Sequence, residues 1–590
     1  MKNFKLKLFL GIINIFLIYI LINEIDALKC VADKLKVNPA FLNVTQNKTR
    51  RRLDNEEIEG RGIKIGVDYT DFDKSLKENY SNYSISECQN KIKELIYYTI
   101  NELQKILNII NDEKINLGEI ERSDELIKKR CGLNSVNDTY ENFLEENDVI
   151  IFPTIDNSLN ELGDDILTAG QFCLITNDFR VVGGVLKINP NITFTKNNSE
   201  TYFKYVLLHE FTHILIFHPS IMELLDMIEK DKETDQLIVK SPIVLEKAKE
   251  HFNCEFMKGV KLEDEEKEGI AGYHWDSRYM LGDYMISIDY IDIVISDITL
   301  ALFEDSGFYK VNYYTGGLFK FGKNKGCKFI DKKCNLTDPT FKDEFCYSPG
   351  IPKCSQSRIS KGICTLYNYS LNNLTIDSSY QYFEDPGIGG LKQIDYCPVT
   401  DYYDNQSSNY YYSQNCQMGN SNLEQFKEKI GNNSFCFIIS WESNDDIDSN
   451  NNNNTNNNTN NNTNPSNTTN SLRHLNSNSK VENKAVCYQT ECNNDTKVIN
   501  ITIGNQNILC ENEGEISIKI DNNITAKINC PNYYDICGFN NNSCNEIFDC
   551  IDKGVAVDYN SFIYEPKEYS KFLISNFYFK ILLLILIILN

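Results

Sequence analysis

Hydrophobic positions along this chain change their spacing from segment to segment, and the spacing marks out its elements. Lys2, Lys5 and Lys7 precede an apolar run at 8–22. A basic stretch followed by a run this short predicts a secretory signal peptide, cleaved near Ala27, rather than a membrane span. Residues 28–60 lack sustained periodicity and contain Arg50, Arg51 and Arg52, so they read as a pro-segment with a processing site. Ile63, Ile65 and Val67 alternate with other residues and predict a first strand. From 90 to 111, Ile92, Leu95, Ile96, Ile100, Leu103, Ile106, Leu107 and Ile110 recur at helical spacing and predict a long amphipathic helix. The stretches 148–153 and 180–189 read as further strands. Residues 202–217 are apolar almost throughout, with no Gly or Pro, and predict a buried helix.

That buried helix carries the chemistry. His209 and His213 lie four apart and so share one helix face. Two neutral imidazoles at this spacing suit one zinc ion, and Glu210 beside them suits a base that takes a proton from activated water. The chain has only six histidines, so a chance HExxH in a helix-like run is the weaker explanation. A catalytic zinc site needs a third protein ligand. Candidates are His218, His251, His274, Glu229 and Glu233. His218 precedes Pro219 at the helix end, which turns it elsewhere. His251 lies in a charged, helix-like stretch without other features. His274 follows Gly269 and Gly272, which permit a tight turn, and Met285 comes soon after.

HExxH, a distant His in a Gly-x-His-Trp segment and then a Met resemble the leishmanolysin family of metzincin proteases. The resemblance is specific at the site and runs loosely from about residue 63 to about 555. It implies that His209, His213 and His274 hold one zinc ion, that Glu210 is the catalytic base, and that Met285 forms the turn beneath the metal. It implies an α+β fold with a metzincin-type N-terminal catalytic subdomain of mixed twisted sheet and long helices at 61–218. A central subdomain with His274 and the Met-turn follows at 219–345, then a disulfide-rich C-terminal domain at 346–565. In that family a pro-segment cysteine occupies the zinc. Cys30 is the candidate for this latency switch, and a disulfide is its alternative role. The cleft strand of such folds is an edge to which substrate adds antiparallel. Chain order gives that place to 181–189, including Val181, Val182, Gly183, Gly184 and Val185, with an ordinary core strand as the alternative. The chain departs from the family at Ile216, where HExxHxxG would place Gly. A β-branched residue resists positive φ, so the helix is expected to run on to about His218 and stop before Pro219.

Composition narrows the setting. A net charge of −24 argues against nucleic acid as a partner. Twenty cysteines, dense in the second half, predict disulfides and an oxidising compartment. Sequons at Asn43, Asn82, Asn137, Asn191, Asn335, Asn373 and Asn432 agree with secretion. Residues 220–229 look helical, and the acidic run 263–268 reads as a solvated face. Cys530, Cys537, Cys544 and Cys550 look like a small stapled module. The tract 450–470 is almost pure Asn and Thr, too polar to fold, and is expected to be a disordered insertion. At 566–590 an apolar tail fits a GPI-attachment signal, with a transmembrane anchor at 572–589 as the alternative. These features together predict a zinc-dependent endopeptidase of the cell surface acting on protein or peptide substrates. The rivals are a zinc protease with Glu229 or Glu233 as third ligand, and a catalytically degenerate surface adhesion protein.

Overall fold

The computed structural model describes residues 61–537, apart from internal stretches, together with the pair 40–41. The expected signal peptide, Cys30, the three arginines, the seven sequons, the Asn-rich tract and the apolar tail lie outside the described residues. Among the described residues no helix is long and apolar enough to cross a membrane.

The N-terminal half is built on a five-stranded mixed sheet. Its strands are β1 (Ala40–Phe41), β3 (Ile65–Val67), β5 (Val149–Ile155), β6 (Thr168–Ile175) and β7 (Val181–Ile188); a separate strand β2 (Arg61–Gly62) precedes β3. The order across the sheet is β1-β6-β7-β5-β3. β3, β5 and β7 run parallel, whereas β6 runs antiparallel to β7. Both faces are covered, so the strands are nearly continuous in buried residues. Val149 and Ile151 join the main core on one face, and Ile150 and Phe152 pack on the other around Cys131 and Cys173.

Helices α1 (Thr70–Asn79) and α2 (Ser84–Ile106) pack on the main-core face, and α3 (Asp124–Cys131) on the other. Ile92, Leu95, Ile96, Ile100 and Leu103 form the buried stripe of α2, as their spacing predicts. The helix stops earlier than its apolar pattern, because Leu107–Ile109 becomes β4, with Leu107 and Ile109 buried and Asn108 half-buried between them. β4 pairs antiparallel with β2 and with Tyr309–Val311. The eight residues of β6 are buried on both faces and show no alternation, so this strand has no period-two signal in the sequence.

Helix α4 (Glu200–Leu215) lies across β6 and β7. It follows the predicted buried helix closely, but its end differs. Ile216 keeps its amide bonded to the Thr212 carbonyl at 3.0 Å, and the Phe217 amide bonds to the same oxygen at 2.9 Å. This widened turn ends the helix before His218, which is extended (φ −140°) as a residue before Pro prefers. Helix α5 (Pro219–Leu224) then replaces the longer helix expected at 220–229. Asp226 takes a left-handed φ of 57°, and Ile228–Lys230 is a strand, β8.

β8 pairs with β9 (Leu237–Val239), which pairs with β10 (Val260–Lys261). Helices α6 (Pro242–Phe252), α7 (Ser277–Met280) and α8 (Asp297–Asp305) complete the central region, and Cys254–Cys327 ties α6 to a later segment. The main core extends past residue 345 to Ile394, Cys397 and Val399. A second core fills a six-stranded antiparallel sheet whose central strands, Ser434–Ser443 and Lys480–Asn493, pair along their length up to Ser443 and Lys480. The Asn-rich tract falls in the connection between those two strands. Eight disulfides join described residues. Cys530 and Cys537 do not staple one local module, since Cys530 pairs with Cys510 and Cys537 with Cys492.

Candidate metal centre

Three histidines from two parts of the chain meet above the sheet. His209 and His213 project from one face of α4, and His274 comes from the loop after β10. Nitrogen atoms of the three rings lie within 4.8 Å of one another. His213 and His274 are fully buried, whereas His209 keeps an edge open to solvent. The hairpin neck that delivers His274 is defined by backbone pairing. Leu262 bridges Trp275, the Glu263 amide donates to the His274 carbonyl at 3.0 Å, and the Asp276 amide donates to the Lys261 carbonyl at 3.1 Å. Gly272, at φ 92°, supplies the left-handed turn that precedes His274.

Each ring has its Nδ1 occupied. His209 Nδ1 lies 2.5 Å from the Tyr284 carbonyl, His213 Nδ1 2.8 Å from the Phe217 carbonyl, and His274 Nδ1 3.1 Å from Glu263 Oε2. Carbonyls only accept, so the protons of His209 and His213 sit on Nδ1 and their Nε2 atoms present lone pairs. Burial, reinforced by His274, lowers the pKa of His209 to about 3. Burial and then His209 and His274 push that of His213 well down. Yet the Nε2 atoms of His209 and His213 are only 2.9 Å apart, and His274 Nε2 is buried without a hydrogen-bond partner. Two lone pairs at that distance repel unless a cation lies between them. The donor set therefore fits a zinc ion bound through three imidazole Nε2 atoms.

Glu210 follows His209 on α4. It is 2% exposed, and its Oε2 accepts from the Gly170 amide at 2.5 Å. Gly170 is required here by close approach, because a Cβ would sit 2.3 Å from the Glu210 carbonyl oxygen. The turn carrying Met285 is joined to α4 through Tyr284. Tyr284 receives His209 on its carbonyl, and its hydroxyl lies 3.0 Å from Thr212 Oγ1 on α4. Met285 is fully buried, its amide donates to Asp283 Oδ1 at 2.8 Å, and its carbonyl accepts from the Trp275 amide at 3.0 Å. Asp283 Oδ2 also accepts from Thr299 Oγ1, which in turn accepts from Trp275 Nε1. Burial raises the Asp283 pKa to about 6, and these hydrogen bonds oppose the rise.

The family pattern of leishmanolysin (peptidase M8) matches residues 131–543, a span that contains the whole histidine cluster and all eight disulfides of the described residues. The chain belongs to the leishmanolysin family. It is 29% identical over 242 residues to a leishmanolysin homolog of Crithidia fasciculata, covering 40% of this chain and 36% of that protein. It is 28% identical over 244 residues to leishmanolysin of Leishmania donovani, covering 40% of each. A leishmanolysin-like peptidase of Drosophila pseudoobscura is 27% identical over 340 residues, covering 52% of this chain and 45% of that one. The matches thus span less than half the length of these relatives.

Other expected site residues lie elsewhere. In this leishmanolysin-family chain Val181, Val182, Gly183, Gly184 and Val185 do not form an edge, since β7 is paired with β6 on one side and β5 on the other. Their glycines serve packing instead. A Cβ at Gly184 would lie 2.2 Å from Ile214 Cγ2 on α4, and one at Gly183 would lie 2.7 Å from Leu174 Cδ1. Glu229 and Glu233 face Lys240 and Lys258 in ion pairs on the surface, away from the cluster. His218 caps α5 by accepting from the Ser220 amide, and His251 lies 2.9 Å from the Phe321 carbonyl through Nε2. Glu263 is the residue that sequence reasoning missed. The acidic run holds it first, but it is 6% exposed and turned inward.

Proposed function

We propose that the protein is a zinc-dependent endopeptidase, with His209, His213 and His274 as ligands and Glu210 as general base. The observation that carries this reading is the convergence of imidazole lone pairs whose opposite nitrogens are already bonded. Bound zinc supplies Lewis acidity, which polarises a peptide carbonyl and makes water nucleophilic near neutral pH. Glu210 takes the proton of the attacking water and returns it to the departing amine. The Gly170 amide holds that carboxylate in place. Tyr284 and Phe217 fix the tautomers of two ligands, so no ring needs to turn when substrate binds. Burial of Met285 in the turn next to Tyr284 supports a packing role beneath the site.

The substrate strand falls to β6 rather than β7. Among the described residues, the outer side of β6 pairs only at Leu174 and Ile175, with β1. Its Gly170 amide points away from β7, toward Glu210. An extended peptide added along Thr168 and Phe172, with the Gly170 amide kept on Glu210, brings its backbone to the base. Eight disulfides favour an extracellular setting for protein or peptide substrates. The apolar stretch after Lys580 favours attachment to the cell surface through GPI.

Metal analysis combined with casein hydrolysis tests this. The purified protein is expected to hold one zinc per chain, to lose hydrolysis in a strong chelator, and to regain it with added zinc. A chain that binds no zinc, or cleaves equally well in chelator, contradicts the proposal.

A further inference from the structure

The two ligands on α4 are held by backbone carbonyls, but the third is held by a side chain. Lys261, Leu262 and Glu263 face Asp276, Trp275 and His274 across the hairpin neck. Glu263 and His274 are therefore cross-strand neighbours, and opposed side chains on one face of such a pair come into contact. Leu262 and Trp275 fill the other face and are wholly buried. Glu263 makes four contacts that all bear on His274. Its amide donates to the His274 carbonyl, and its carbonyl accepts from the Gly272 amide at 3.0 Å. Its Oε2 meets His274 Nδ1, while its Oε1 accepts from Ser287 Oγ at 2.8 Å. Ser287 lies just beyond the Met285 turn, so the carboxylate spans the ligand loop and that turn.

We infer that Glu263 is a positioning residue for the metal: it fixes the proton of His274 on Nδ1, aims Nε2 at the shared centre, and strengthens that nitrogen as a donor. The inference rests on the zinc reading above. The chemistry is asymmetric among the ligands. A carbonyl offers a neutral acceptor to His209 and His213, whereas Glu263 offers His274 a carboxylate. A charged acceptor on one ring nitrogen raises the basicity of the other, and losing such a partner costs roughly 10- to 100-fold in metal affinity. His274 also needs the help most. It comes from a loop rather than from α4, and its Nε2 is buried without a partner, so another tautomer would leave an N–H pointing at the metal.

Glu263→Gln is the deciding variant, because it keeps the size of the side chain and an oxygen that accepts from Nδ1 while removing the charge. Zinc affinity of the full-length protein is measured by competition with a fluorescent chelator, alongside the visible spectrum of the cobalt-loaded protein. The metal-free variants are compared with wild type by circular dichroism and thermal unfolding. Glu263→Gln is expected to bind zinc about 10-fold more weakly, with shifted cobalt bands and an unchanged metal-free protein. Glu263→Ala is expected to lose more than Gln; if it does not fold, the Gln variant alone decides. Zinc affinity of Glu263→Gln within twofold of wild type, with identical cobalt bands, overturns the inference and leaves the zinc reading intact. Absence of zinc binding by wild type itself overturns the zinc reading instead.

Discussion

Every described histidine has one ring nitrogen tied to a fixed partner, and that partner separates the site from the core. His209, His213 and His274 leave Nε2 facing one point. His218 spends Nδ1 on the Ser220 amide, and His251 spends Nε2 on the Phe321 carbonyl while its ring lies 4.7 Å from that of Phe319. The histidine cluster was legible in part: four-residue spacing puts His209 and His213 on one helix face, whereas His274 was picked out from the other candidates by the family resemblance. Glu263 was not legible, since a carboxylate at the head of an acidic run looks solvated until the hairpin register turns it inward. His251 gives a prediction at this scale. Burial, helped by Lys323 and Lys320, lowers its pKa from 6.5 to about 3, and the Phe321 hydrogen bond opposes the shift. Its folded pKa lies below its unfolded one, so the unfolded chain binds the proton first, and stability is lost as pH falls below about 6.5. Relative to His251→Phe, wild type should lose about 2 kcal/mol between pH 7 and pH 5, measured by urea unfolding. Parallel stability curves for the two proteins would contradict this.

At the scale of elements, the decisive contact is the approach of α4 to the sheet. Helix α4 was readable from its uninterrupted apolar run, and β5 and β7 from theirs. β6 was not, because burial on both faces removes the alternation that identifies a strand. Without β6 the strand β7 looks like the last one before the helix, which is why it reads as an edge in the sequence although it is paired on both sides. Gly170 and Gly184 are what let α4 sit so close, each lying where a Cβ would strike the helix. Ile216 belongs to the same interface. It is wholly buried and lies just past Leu215, the last residue of α4, with its amide still on the Thr212 carbonyl, while the widened turn at Phe217 brings a carbonyl to His213. Gly170→Ala therefore should do two things. The added Cβ meets backbone atoms of Glu210, which cannot move cheaply, so stability should fall by about 1–3 kcal/mol. The displaced strand also withdraws its amide from Glu210, so kcat should fall at least about 10-fold, with a smaller change in KM. Wild-type kcat and an unchanged urea midpoint in Gly170→Ala would contradict this role.

For the whole molecule, four buried apolar clusters and eight disulfides join the described residues, and the three histidines lie beside the largest cluster. The main core runs from Ile63 to Val399, across the region where cysteines begin to crowd. Cysteine density announced a stapled second half, but bridges such as Cys254–Cys327 and Cys354–Cys436 span distances along the chain that no spacing rule supplies. The six-stranded sheet was partly written in the sequence. Ile499, Ile501 and Ile503 alternate as buried positions of one strand, yet they stand among polar Asn and Thr that draw the eye to disorder. The resemblance at the site, in contrast, rested on a few residues far apart in the chain, and folding brings the three histidines among them together.

The most direct test of the account separates holding the metal from using it. The Glu210 carboxylate is bound to the Gly170 amide, on a strand that carries none of the three histidines. Glu210→Ala and wild type are to be purified together, with zinc content and cleavage of a peptide substrate measured on the same samples. The account predicts equal zinc in the two proteins and hydrolysis reduced at least about 100-fold in the variant, the scale of a lost general base. Substantial peptide cleavage by zinc-loaded Glu210→Ala would contradict it.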